Sequence, residues 1–154
     1  MTPNHNQAAG SRQIQVVRMF DAPRELVFRN WTEPELIARW FAPDPYSVTE
    51  CQLDARPGGK WRVQYRSDDG TTHTESGEFR ELVPPEKVVM TLTQQGPSGS
   101  RGPDTVVHVT LEAAGAQTRM TFVQTGFEAD KHRDENAEGW SECFRKLERS
   151  LQSG

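Results

Sequence analysis

Apolar and polar side chains alternate over residues 13–20, where Ile14, Val16 and Phe20 share one side and Arg18 interrupts the row. That is the period of a half-buried strand. Pro23 then sets a helical φ in a first turn, and Leu26, Val27 and Trp31 follow at helical spacing. Thr32 and Glu35 form a capping-box pattern around Pro34, which predicts a second short helix carrying Leu36, Ile37, Trp40 and Phe41 until Pro43 and Pro45 stop it.

The pattern is then β in short segments parted by turn residues, the rhythm of an antiparallel meander. Residues 46–54 form one strand. Pro57-Gly58-Gly59 turns the chain, and Trp61, Val63 and Tyr65 alternate with Arg62, Gln64 and Arg66, the clearest period of two in the sequence. Asp68-Asp69-Gly70 leads into a polar strand over residues 72–82, and Pro84-Pro85 into one lined by Val88, Met90 and Leu92. Residues 95–104, rich in glycine and proline without an apolar side chain, have the composition of a mobile loop with a disordered tip. Val107, Val109 and Leu111, then Met120 and Phe122, mark two more strands joined around Gly115, which makes seven. From Asp130 to Leu151 the period becomes helical, with Ala137, Trp140, Phe144, Leu147 and Leu151 on one stripe. Residues 131–136 are almost wholly polar, so the N-terminal part of this helix faces either water or a polar-lined pocket.

At 154 residues the chain has the size of one domain. The expected organisation is a disordered arm over residues 1–12, too polar to offset the entropy of ordering, and one domain over 13–152. Only 34% of residues are apolar, so four tryptophans and seven phenylalanines must supply much of the burial. The net charge of −4 is spread without a basic stripe, which argues against a nucleic-acid partner. No apolar run is long enough to insert into a membrane and the N-terminus lacks a signal-peptide core, so the expected location is cytoplasmic. Cys51 and Cys143 are too few for a disulfide framework and lack metal-ligand spacing, and they are read as free thiols.

Three segments, in order, carry a family likeness. Ala22-Pro23-Arg24-Glu25-Leu26-Val27-Phe28 with Trp31-Thr32-Glu33-Pro34-Glu35-Leu36 and Trp40, then Leu53-Asp54-Ala55-Arg56-Pro57-Gly58-Gly59 with Trp61, then Gly139-Trp140 with Leu147 resemble the START-like (SRPBCC, Bet v 1-like) superfamily. The branch they resemble is that of the C-terminal domain of the activator of the heat shock protein 90 ATPase. The resemblance implies an α+β helix-grip fold: a curved seven-stranded antiparallel sheet, two short helices after strand 1 and a long C-terminal helix. Relatives of this kind include lipid carriers, plant-hormone sensors, polyketide cyclases and chaperone activators, so function must be argued from a site. The branch transfers no catalytic set and no cofactor.

In such a fold the concave sheet face and the inner helix face line a cavity as well as a core. Strand alternation and helix phase place Trp61, Val63, Tyr65, Met90, Leu92, Met120, Phe122 and Trp140 on that surface, each a core residue before it is a ligand contact. Tyr65 stands out because a buried phenol wants a hydrogen-bond partner, which a ligand, a protein group or water can supply. His132 and Asn136, four apart, share one helix face near the pocket mouth, either orienting a ligand's polar group or solvated. Gly139 inside the helix suggests close helix–sheet packing. The histidines His5, His73, His108 and His132 have no metal-site spacing, and Ser98 and Ser100 lack a nucleophile's context. Glu75 and Glu78 could work as acid and base only if buried, and carboxylates on a polar strand are commonly exposed.

Three functions follow in order of preference. The first is binding of a small hydrophobic molecule, a lipid or aromatic metabolite, in the cavity. The second, from the resemblance alone, is contact with a chaperone. The third is a cyclase- or hydrolase-type enzyme using Tyr65, His132 or a buried glutamate for proton transfer.

Overall fold

The computed structural model describes residues 12–153, and the expected disordered arm lies outside them except for Arg12. Strand β1 (Ile14–Phe20) is followed by helices α1 (Arg24–Thr32) and α2 (Pro34–Ile37), then by β2 (Ser47–Leu53), β3 (Lys60–Arg66), β4 (Thr72–Val83), β5 (Lys87–Gln95), β6 (Thr105–Ala114) and β7 (Gln117–Thr125), and the chain closes with helix α3 (Asp130–Ser153). The seven strands form one antiparallel sheet in the order β1-β7-β6-β5-β4-β3-β2. Strands β2 to β7 are a meander of sequential hairpins. The β1–β2 connection therefore spans the sheet from edge to edge and carries α1 and α2 with it.

Two local expectations are corrected. Thr32 does not cap α2: it is the last residue of α1, where its hydroxyl donates back to the Phe28 carbonyl, and Glu33 alone separates the two helices. Pro23 is the extended residue before α1 rather than part of its first turn. Arg18, which breaks the apolar row of β1, keeps its place on the inner face beside Met120 and reaches across to Glu148 of α3 at 2.8 Å. Residues 95–104, composed like a mobile loop, close as a hairpin tip in which Gly96 N–H donates to Ser100 O and Gly102 N–H to Gln94 O.

Packing is dominated by rings. Trp31 of α1 and Trp40 just past α2 meet edge to face at 4.8 Å between centroids, and Phe122 of β7 lies 4.7 Å from Trp140 of α3, which stacks on Phe144 at 5.5 Å. Trp31 touches Phe122, Trp140 and Phe144 as well, so the crossover helices, β7 and α3 share one aromatic core. This cluster fills the cup beneath the C-terminal part of α3, as its apolar stripe requires.

Opposite β3, the β4–β5 ladder opens around Gly77. The Thr91 carbonyl takes the Trp61 indole N–H at 3.0 Å, and the Thr91 hydroxyl takes the Glu78 backbone N–H at 2.9 Å. A β-carbon at Gly77 would stand 1.9 Å from the Thr91 carbonyl oxygen, so only glycine permits this arrangement.

Candidate functional site

The strand register decides which side chains reach the inner face at the far end of the sheet. Tyr65 of β3 lies opposite His73 of β4, Val63 opposite Glu75, and Glu75 in turn opposite Gln94 of β5. Residues opposite one another in an antiparallel ladder share a face. Tyr65, His73, Glu75 and Gln94 thus form a polar patch on a concave surface that is otherwise apolar, and it faces the polar first turns of α3. Between them is a cavity of about 650 Å³, closed laterally by Phe41, Pro43 and Tyr46 and by the residues 96–103 hairpin tip. Its size is that of a small-molecule pocket.

Two sets of hydrogen bonds hold the polar wall. Tyr65 O–H donates to Glu75 Oε2 at 2.7 Å, and Gln94 Nε2 donates to the same oxygen at 2.9 Å. Gln94 Oε1 pairs with His132 Nε2 at 2.9 Å, which ties β5 to α3, and Asn136 Nδ2 donates to the His132 carbonyl. On the other side Tyr46 Oη pairs with His73 Nε2 at 3.1 Å, and the Tyr65 and His73 rings are stacked. A second buried chain lies beneath: Trp140 Nε1 donates to Gln124 Oε1 at 2.8 Å, Gln124 Nε2 to Thr105 Oγ1, and Thr105 Oγ1 to the Leu92 carbonyl.

The cavity favours neutral side chains. Burial pushes the Glu75 carboxyl up, opposed by the hydrogen bonds from Gln94 and Tyr65. Burial, and after it the charge of Glu75, pushes the Tyr65 phenol and the Cys143 thiol up, and burial pulls the His73 imidazole down. Among the described residues no three His, Cys, Asp or Glu side chains come together as a metal site.

Of the side chains expected at the cavity, Tyr65, His132, Asn136 and Trp140 line it. Trp61, Val63, Met90, Leu92, Met120 and Phe122 do not; they are buried in the packed core. The reason is the crossover: Phe41 packs on Trp61 and Trp31 on Phe122, so rings from the α1–α2 segment occupy the middle of the cup. Glu75, expected on an exposed strand face, is only 7% exposed, whereas Glu78 is half-buried and points to the opposite face, so the two are not an acid–base pair. His73, Gln94, Tyr46 and Cys143 were not singled out as cavity residues from sequence. Gly139 lines the cavity instead of packing tightly, since a β-carbon there would meet nothing nearer than Pro43 at 4.0 Å.

A curved antiparallel sheet wrapped on a long C-terminal helix, with the crossover helices and a cavity between them, defines an α+β helix-grip protein of the START-like class. The family model described as Activator of Hsp90 ATPase homolog 1-like protein matches residues 21–152, and the chain belongs to that family. It is similar in structure to a Nitrosomonas europaea protein at 26% identity, over 92% of this chain and 94% of that one, with a TM-score of 0.77. An uncharacterised protein of Rhizobium leguminosarum is 25% identical, over 92% and 95%, at 0.80. The AHSA1 protein of Silicibacter pomeroyi is 22% identical, over 92% and 98%, at 0.83, a likeness of fold. A comparison with curated proteins returns no match. No described helix is long and apolar enough to cross a membrane.

Proposed function

We propose that this protein binds a small, largely hydrophobic molecule in the cavity between β3–β5 and the N-terminal half of α3. The observation that carries this reading is the cavity of about 650 Å³, walled by the rings of Phe41, Tyr46, Tyr65 and Trp140 and by the hydrogen-bonded polar groups of β4, β5 and α3. Aromatic rings that hold a ligand's body, joined to fixed polar groups that orient it, are the usual build of a ligand pocket. The test is fluorescence titration with a panel of lipids and aromatic metabolites, joined to native mass spectrometry of the protein as purified. Saturable quenching that is lost in Trp140→Phe is expected, because Trp140 lines the cavity while Trp31, Trp40 and Trp61 lie in the core. No saturable binding across the panel and no co-purifying mass would end the reading.

Membership of a family described by chaperone ATPase activation supports a second reading, contact with an Hsp90-type chaperone. A purified bacterial chaperone of that type should then change its ATPase rate when this protein is added. An unchanged rate at high concentration would count against it.

A further inference from the structure

Among the described residues, the Glu75 carboxyl has no counter-ion. It is 7% exposed, and none of the ion pairs among the described residues includes it. Its two hydrogen-bond donors, Tyr65 and Gln94, are neutral, and both meet Oε2. The second oxygen, Oε1, has no donor among the described hydrogen bonds, and Glu75 forms part of the cavity wall. An isolated buried carboxyl is costly to ionise unless something opposite in charge comes to it.

The surroundings select the sign of that charge. The Tyr65 and His73 rings stack at 5.6 Å, and the Tyr46 ring stands edge-on to both at 5.3 and 5.1 Å. Across the cavity, Phe41 and Trp140 meet at 5.4 Å. Aromatic faces attract cations. Among the described lining residues Arg101 is the one Lys or Arg; it stands at the exposed rim and is held by Asp104 at 3.0 Å, while Glu135 adds a second carboxylate at the mouth. A ligand carboxylate would meet two acids, an arginine engaged by Asp104, and the imidazoles of His73 and His132, whose Nε2 atoms are already paired with Tyr46 and Gln94. A ligand ammonium would meet a buried acid set among aromatic side chains.

We propose that the cavity is a site for a hydrophobic amine, an aromatic or alkyl body carrying one protonated nitrogen, with Glu75 Oε1 as the counter-ion and hydrogen-bond acceptor for that nitrogen. The proposal rests on the ligand-binding reading above and adds the chemistry of the ligand's polar end.

The experiment compares heads on one body: 1-naphthylmethylamine, 1-naphthylmethanol, 1-naphthaldehyde and 1-naphthoic acid, titrated calorimetrically into the wild type and Glu75→Gln. The Gln side chain can keep an acceptor toward Tyr65 and Gln94 while presenting an N–H donor to the cavity. The amine should bind about tenfold or more tighter than the alcohol and the acid. Glu75→Gln should remove that advantage and leave the alcohol within about threefold of its wild-type affinity. Equal affinity for all four heads would overturn the amine assignment and leave the hydrophobic pocket standing. Preference for the aldehyde or the acid, or amine binding untouched by Glu75→Gln, would also overturn it. Failure of all four to bind would remove the pocket reading and the assignment together. If Glu75→Gln does not melt cooperatively, the ranking of the four heads on the wild type decides by itself.

Discussion

Trp140→Phe tests whether the buried chain from Trp140 through Gln124 to Thr105 holds α3 onto the sheet. Gln124 is fully buried, and its Oε1 takes the Trp140 indole N–H at 2.8 Å. Phenylalanine keeps an aromatic ring against Phe122 and Phe144 but removes that donor, and a buried acceptor left without a partner costs about 1–3 kcal/mol. The smaller ring adds a packing loss, so the single variant alone does not isolate the bond. Gln124→Leu supplies the control, since in its background the same loss of ring volume occurs with no acceptor to strand. The four proteins of this cycle, unfolded in urea and followed by circular dichroism, should show a coupling energy of about 1–3 kcal/mol. In thermal melts each kcal/mol is worth about 2–4 °C for a chain of this size. The two changes adding within about 0.3–0.5 kcal/mol would refute the argument, showing that cavity water replaces the indole or that the bond contributes nothing.

Three further outcomes follow from named geometry. Gly139→Ala should raise stability by up to about 1 kcal/mol in urea unfolding, because the helix gains propensity and the new methyl meets only Pro43 at 4.0 Å; a loss would mean that the helix sits closer to its neighbours. Gly77→Ala should destabilise by about 3 kcal/mol or more, or prevent folding, since its β-carbon would overlap the Thr91 carbonyl; a melting temperature within about 2 °C of wild type would contradict that contact. Glu75 has a folded-state pKa raised by burial, so its contribution is complete below the ordinary carboxylate range and declines as pH rises through the folded value. The stability of Glu75→Gln relative to wild type should therefore grow in urea unfolding as pH rises above the ordinary carboxylate range, and a constant difference would reject the assignment.

The element order was legible because strands β3, β5, β6 and β7 each carry an apolar row that alternates and α3 carries one stripe. The cavity wall was harder because β4 has no such row: Thr72, His73, Thr74, Glu75, Ser76, Gly77 and Glu78 look alike on both faces, and a strand without an apolar face does not declare its register. A signal was nevertheless present in the turn. A hairpin centred on Asp69 places Tyr65 against His73 and Val63 against Glu75, which is the observed pairing, and since Val63 and Tyr65 face inward so must their partners. Pairing through the Asp68-Asp69-Gly70 turn, rather than judging Glu75 by the polarity of its neighbours, finds the buried carboxyl.

No comparable signal located the filling of the cup. Trp61, Met90 and Phe122 have the right face for a cavity wall, and strand alternation cannot distinguish a side chain under a void from one under another ring. What separates them is the path of residues 21–46, which crosses the sheet and delivers Trp31, Trp40 and Phe41 into its middle. Those rings meet the apolar stripe of α3 at Trp140 and Phe144, one turn past its start at Ala137, and leave the helix's first turns without an apolar surface to bury. The void therefore falls where two polarity patterns coincide, the polar start of α3 and the polar inner row of β4. Closing it with apolar side chains would strand Glu75, Gln94 and His132 away from water. The same coincidence that keeps the cavity open also gives it a chemically distinctive floor, so a ligand that fits must answer the carboxyl group of Glu75 as well as the surrounding rings.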